Sequence, residues 1–184
     1  MLDSELARRL ELVGLDVDGV LTDGGIYVGQ AAGEVVEFKR FHTQDGLGIK
    51  LLREAGLRVA LVTARPSKAT ELRARELGVD ELVETGGPDK VPAFSDMLTR
   101  LGIGFDACAF AGDDLTDAAL LGRVALPIAV ANAVPEVKAR ARFVTDTPGG
   151  HGAVREIAEQ VLRARGVWDE LLEPFRAAAP LDPE

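Results

Sequence analysis

Short apolar runs bounded by glycine, proline or acidic residues alternate along the chain with longer stretches whose apolar positions recur every three or four residues. The first pattern reads as buried strands and the second as amphipathic helices. The runs predict strands at about 12–17, 58–62, 81–84, 107–111, 126–130 and 142–145. Helices are expected at about 3–10, 46–55, 67–77, 89–101, 117–122, 135–140 and 152–165. Strands and helices alternating over short links imply a parallel sheet with right-handed crossovers, an α/β, Rossmann-like fold with helices on both faces.

Two segments depart from the alternation. Between about 25 and 41, Ile26, Val28, Val35, Val36 and Phe38 form two β-rich runs around Gln30-Ala31-Ala32-Gly33. This predicts a β-hairpin with a four-residue loop. After Gly166, the stretch Val167 to Phe175 is apolar enough to dock, whereas 176–184 is expected to be a disordered tail. With no repeat, low-complexity tract or linker, residues 1–175 read as one domain carrying the hairpin.

Composition fits that reading. A chain of 184 residues with 47% hydrophobic content matches the ~100–200 residues of a usual domain. The one cysteine, Cys108, excludes an intramolecular disulfide, and its apolar run marks it as a core thiol rather than a nucleophile. No apolar stretch approaches the ~18 residues needed to span a bilayer. The start Met1-Leu2-Asp3-Ser4-Glu5 lacks a basic signal-peptide region. A cytoplasmic protein without a membrane partner is expected. The net charge of −9 argues against nucleic-acid binding, which relies on clustered Lys and Arg. An anionic substrate must therefore meet local cations, for which Arg65 and Lys90 are candidates. The run Glu71-Leu72-Arg73-Ala74-Arg75-Glu76 reads as a solvated helix face.

The chemistry concentrates where the first strand ends, in Leu15-Asp16-Val17-Asp18-Gly19-Val20-Leu21-Thr22-Asp23. Residues i and i+2 of an extended chain face the same way, so Asp16 and Asp18 can share one site, one attacking while the other moves protons. Carboxylates this close repel unless a cation sits between them or one is protonated, which implies a divalent metal. The plainer alternative is an Asp-Gly turn after a strand. Against it stand the second acidic cluster, Asp113-Asp114-Leu115-Thr116-Asp117, the run ending in Thr63-Ala64-Arg65, and Lys90 after Gly86-Gly87-Pro88-Asp89. Strand ends of an α/β sheet gather ligand-binding groups at one edge. The set is then nucleophile, acid/base, hydroxyl, cation and metal carboxylates.

In this order the set resembles the haloacid dehalogenase-like hydrolase superfamily, whose phosphatases are phosphorylated on the first Asp of a D-x-D signature. Three stretches resemble the 3-deoxy-D-manno-octulosonate 8-phosphate phosphatases: Asp16 to Gly24, Phe41 through Asp45 to Lys50, and Gly149-Gly150-His151-Gly152-Ala153-Val154-Arg155-Glu156. That family hydrolyses an acidic sugar phosphate made for lipopolysaccharide. The resemblance implies Asp16 as nucleophile forming an aspartyl phosphate. Asp18 would be the acid/base that protonates the departing sugar oxygen. Mg2+, which prefers oxygen ligands, would be held by the Asp16 and Asp113 carboxylates and the Asp18 backbone carbonyl. Asp114 is a weaker ligand candidate, and Asp117 is expected to orient the ligands.

Thr63 and Lys90 would hold phosphoryl oxygens, although singly they read as a helix cap and a surface lysine. Arg65 would grip the substrate carboxylate, as the matching family residue suggests. Arg155 is open between that pocket and a pair with Glu159. His42 and His151 can line the pocket but lack metal-ligand spacing. The hairpin is too small for a cap domain, and relatives exclude water by tetramerising through theirs, so a homotetramer is expected. In relatives the tail can also reach a neighbouring subunit's site. Gln44 and His151 stand where many relatives have Arg, which leaves phosphates of nine-carbon ulosonates or other small sugar phosphates open.

Two other classes remain on the residues alone. A phospho-accepting signalling receiver also uses a nucleophilic Asp, an acidic pair, a hydroxyl and a Lys, but it places the acidic pair first and lacks an equivalent of Asp18. A calcium-binding EF-hand loop fails at Leu21 and Tyr27, where it needs Gly and Glu.

Overall fold

The computed structural model describes residues 2–177. Its sheet strands are β1 (Leu12–Asp16), β4 (Arg58–Thr63), β5 (Glu81–Glu84), β6 (Cys108–Gly112), β7 (Leu126–Ala129) and β8 (Phe143–Val144), with β2 (Tyr27–Ala31) and β3 (Glu34–Phe38) forming a separate hairpin. The sheet order is β5-β4-β1-β6-β7-β8, and every pairing is parallel. All residues of β1 and β6 are buried. Both strands read as unbroken apolar runs because a parallel sheet is covered on its two faces.

The helices are α1 (Ser4–Arg9), α2 (Thr43–Glu54), α3 (Lys68–Leu77), α4 (Val91–Leu101), α5 (Ala118–Leu121), α6 (Pro135–Lys138), α7 (Ala153–Arg165) and α8 (Trp168–Ala177). Helices α1 and α2 pack on α7, while α4 lays Phe94 edge-on against Phe110 of β6, ring centroids 5.9 Å apart. Strand β1 is flanked by β4 on one side and β6 on the other. The chain therefore reverses its direction of travel across the sheet there, and the crevice at such a switch point is where α/β sheets bind ligands. Asp16 ends β1, and Asp113 follows the end of β6.

Several expected boundaries are corrected. The hairpin loop has two residues, not four: Ala31 pairs with Glu34, and Ala32 (φ 54°) and Gly33 (φ 86°) make the turn. Two successive positive φ values describe a type I′ turn, whose twist matches that of the flanking strands. Helix α2 begins at Thr43 rather than 46, because Gly46 and Gly48, poor helix formers, sit inside it. The expected helix at 117–122 opens as a 3-10 turn over Leu115–Asp117, capped reciprocally by Asp114 and Asp117. The strand expected from 107 begins at Cys108, after another 3-10 turn at Phe105–Ala107.

Helix α8 was not foreseen, since Pro174 lies within it. Its buried Trp168 docks against the guanidinium groups of Arg155 and Arg163, 5.2 and 4.9 Å from the ring centroid. Residues 176 and 177, expected in the tail, belong to this helix, and 178–184 lie outside the described residues. Among the described residues no helix is long and apolar enough to cross a membrane.

Candidate active site

The chain leaves β1 through a π-type turn over Val17–Leu21, in which Asp18 (φ −82°, ψ 107°) and Gly19 (φ 98°) are not helical. Gly19 is required here for a second reason: a Cβ at this position would lie 2.1 Å from Asp113 Oδ2. The turn thus brings the first acidic stretch against the second. A cleft of about 200 Å³ is lined by Asp16, Asp18, Thr63, Ala64, Arg65, Lys90, Asp113, Asp114 and Thr116. Of the candidates read from the sequence, Asp16, Asp18, Thr63, Arg65, Lys90, Asp113 and Asp114 border it, whereas Asp117, His42, Gln44, His151 and Arg155 are not among its lining residues.

At its floor Lys90 Nζ donates to Asp16 Oδ1 at 2.5 Å and to Asp117 Oδ1 at 2.7 Å, all three side chains being almost wholly buried. The other Asp117 oxygen accepts the backbone N–H groups of Asp113 (2.9 Å) and Asp114 (3.2 Å). Oxygens from Asp16, Asp113 and Asp117 lie within 4.8 Å of one another. Burial first, and then the charge of Asp117, hold the Asp16 carboxyl well above the usual carboxylate range against the pull of Lys90. The same two causes push Asp113 up to about 6. Burial alone would lower Lys90, but Asp16 and Asp117 outweigh it and raise its pKa.

Fully ionised, three carboxylates against one ammonium would leave two negative charges in a buried site, and Asp113 Oδ1 is buried without a hydrogen-bond partner. A divalent cation fits both observations, since a hard cation takes carboxylate oxygens. Asp117 is poorly placed as a ligand because Lys90 and two backbone donors already use both of its oxygens. The oxygens left are those of Asp16 and Asp113.

Thr63, at the end of β4, is buried, and its hydroxyl accepts the Arg65 backbone N–H at 3.1 Å. Arg65 reaches across the cleft mouth to Glu37 of the hairpin at 2.5 Å. Asp18 is held by Lys39, just past β3, at 2.7 and 3.0 Å. Neither Glu37 nor Lys39 was singled out in the sequence, although their spacing of two at the end of a β-rich run is the signal for a shared face.

Other groups support the loops rather than the cleft. Asn132, unnoticed in the sequence, donates to the Gly19 carbonyl at 3.0 Å and accepts from the Gly149 N–H at 2.6 Å, tying the Asp18 turn to the glycine loop. That loop packs so closely that a Cβ on Gly149 would meet the Gly19 carbonyl oxygen at 1.8 Å. His151 Nδ1 lies 2.8 Å from the Gly149 carbonyl, and Arg40 donates to its Nε2 at 3.0 Å. Arg40 therefore supplies positive charge where His151 replaces the expected Arg. Arg155 pairs with Glu159 at 2.8 Å and stacks on Trp168, which gives it a structural task. Asp45, buried in α2, accepts the Arg155 N–H at 2.9 Å and caps α7.

A family model described as haloacid dehalogenase-like hydrolase matches residues 83–157. The chain is 43% identical over 164 residues, 89% of its own length and 85% of the other, to 3-deoxy-D-manno-octulosonate 8-phosphate phosphatase KdsC of Escherichia coli strain K12. Among solved structures it superposes with a TM-score of 0.88 and 35% identity on the 3-deoxy-D-manno-octulosonate 8-phosphate phosphatase of Moraxella catarrhalis in complex with magnesium, phosphate and KDO, covering 94% of this chain and 97% of that one. A cobalt-bound deoxy-D-mannose-octulosonate 8-phosphate phosphatase from Haemophilus influenzae matches with a TM-score of 0.81 and 36% identity over 89% of this chain and 95% of that one.

Proposed function

Because this chain belongs to the 3-deoxy-D-manno-octulosonate 8-phosphate phosphatase family of haloacid dehalogenase-like hydrolases, we propose that it hydrolyses the 8-phosphate of that eight-carbon sugar acid at the Asp16 cleft. Membership sets aside the signalling-receiver and calcium-loop readings. The observation that carries the proposal is the buried Asp16–Lys90–Asp117 cluster at the end of the central strand, with Asp113 beside it and Arg65 at the mouth.

Asp16 attacks phosphorus in line, its Oδ–P bond forming as the P–O bond to the sugar breaks. Asp18 gives its proton to the departing sugar oxygen and then takes one from the water that hydrolyses the aspartyl phosphate. Lys90 and Thr63 steady phosphoryl oxygens while charge develops on them. Arg65 exchanges Glu37 for the substrate carboxylate, a planar anion suited to a bidentate guanidinium contact. The Asp16 and Asp113 carboxylates, with the Asp18 backbone carbonyl, would hold Mg2+. When bound, the cation offsets the charge of phosphate and carboxylates.

The same reading makes residues 1–175 one catalytic domain of a cytoplasmic homotetramer. Ile26, Tyr27, Val28, Val35 and Phe38 of the hairpin are exposed, and a lone two-stranded hairpin is marginal in water. Burial against other subunits would stabilise it and close the cleft.

Phosphate release is measured from 3-deoxy-D-manno-octulosonate 8-phosphate, nine-carbon ulosonate 9-phosphates and hexose phosphates, with Mg2+ and with chelator. A metal-dependent preference for the eight-carbon acid is expected. Preference for a nine-carbon acid would move the assignment to that substrate. Activity undiminished by chelator would overturn the metal reading.

A further inference from the structure

Besides its apolar surface, the hairpin carries a charged arm. Glu37 and Lys39 lie two residues apart at the end of β3 and reach the cleft together, Lys39 Nζ standing 3.9 Å from the Glu37 carboxylate. The Lys39 side chain is 2% exposed, and its ammonium contacts both oxygens of Asp18, at 2.7 and 3.0 Å. Among the described residues it is the one side chain that hydrogen-bonds this carboxylate. Asp18 sits on a turn of irregular backbone, so without that contact its rotamer has little to hold it. The base of the hairpin is tied to the same turn by a bridge between Thr22 and Phe41. The hairpin base is thus held there by a backbone tie in addition to Lys39.

We propose that Lys39 is a positioning residue that acts through Asp18, aiming its carboxyl at the leaving-group oxygen. The proposal rests on the acid/base reading of Asp18 given above. In the step concerned, the Asp16–phosphorus bond forms and the phosphorus–sugar oxygen bond breaks. The proton passes from Asp18 to that oxygen, and Lys39 keeps all of its own. A charge-assisted contact to both carboxylate oxygens fixes the plane and direction of the group, and misplacement of a reacting group by about an ångström is enough to cost much of its catalysis.

Leaving-group dependence tests this. A sugar alkoxide must be protonated as it departs, whereas p-nitrophenolate leaves without a proton. For Lys39→Met, kcat/KM for the sugar-acid phosphate should fall at least about tenfold, and for p-nitrophenyl phosphate less than about threefold, since general acid catalysis is worth ~10²–10⁴-fold where it is needed. Lys39→Arg should restore most of the loss. Adding Lys39→Met to Asp18→Asn should cost nothing more, because residues acting as a unit are non-additive. Thermal unfolding of each variant verifies that it is folded. Equal losses on both substrates, or additive losses in the double variant, would overturn the role of Lys39 alone. If Asp18→Asn itself lowered kcat/KM equally on both substrates, the acid/base reading would fail and this proposal with it.

Discussion

Lys90 Nζ lies 2.5 Å from Asp16 Oδ1, although 74 residues of chain separate them. The contact joins the start of α4 to the end of the central strand and, through Asp117, to the loop after β6. Replacing the ammonium by an apolar chain of similar length leaves Asp16 and Asp117 buried without their shared cation. Lys90→Met is expected to lower stability by about 3–5 kcal/mol. Turnover should fall at least ~10²-fold as a phosphoryl contact is lost. Urea unfolding and phosphate release measure the two, and a variant as stable as the parent would contradict the cluster's assigned role.

The raised pKa values of Asp16 and Asp113 make metal binding compete with protons. Asp113, pushed up to about 6 from an unfolded value of about 3.9, binds more protons folded than unfolded between those values. Without metal, stability should therefore be fully present below the unfolded value and decline as pH rises through about 6. Mg2+ binds the deprotonated carboxylates, so it should stabilise the protein more at pH 8 than at pH 5. Melting curves with Mg2+ and with chelator at both pH values check this. An equal Tm gain at both would contradict a site built on these acids.

Exposed Val28 and Val35 give the tetramer proposal its test. Substituting both with Lys should shift sedimentation towards smaller species and reduce activity with them. Monomers of the unsubstituted protein at micromolar concentration would contradict assembly through the hairpin.

Arg155 carries a contrary expectation. Its partners are Glu159 and the Trp168 ring, so Arg155→Ala should cost about 1 kcal/mol of stability through the lost cation–π contact. It should leave kcat/KM within about twofold, far below the ~10²-fold loss of a transition-state contact. A large kinetic loss in a folded variant would return Arg155 to the substrate pocket.

The strand positions and the cleft were largely legible because buried parallel strands read as continuous apolar runs and their ends carry the acids. The hairpin turn was misjudged because Ala32 adopts a positive φ that its side chain disfavours. Helix α8 was obscured by Pro174, which ordinarily argues against a helix interior. Asn132 was unreadable for a different reason. Its task of bridging Gly19 and Gly149 spans 113 and 17 residues of sequence and leaves no local periodicity. Lys39 and Arg40 follow a strand whose pattern is dominated by its apolar positions, while their partners Asp18 and His151 lie in distant segments.

Covalent capture tests the account most directly. Borohydride added during turnover reduces an acyl phosphate and would convert the phosphorylated aspartate to homoserine, which peptide mass spectrometry locates. The account predicts homoserine at position 16, dependent on substrate and absent in Asp16→Asn. Homoserine at another acid, or steady turnover by Asp16→Asn, would contradict it.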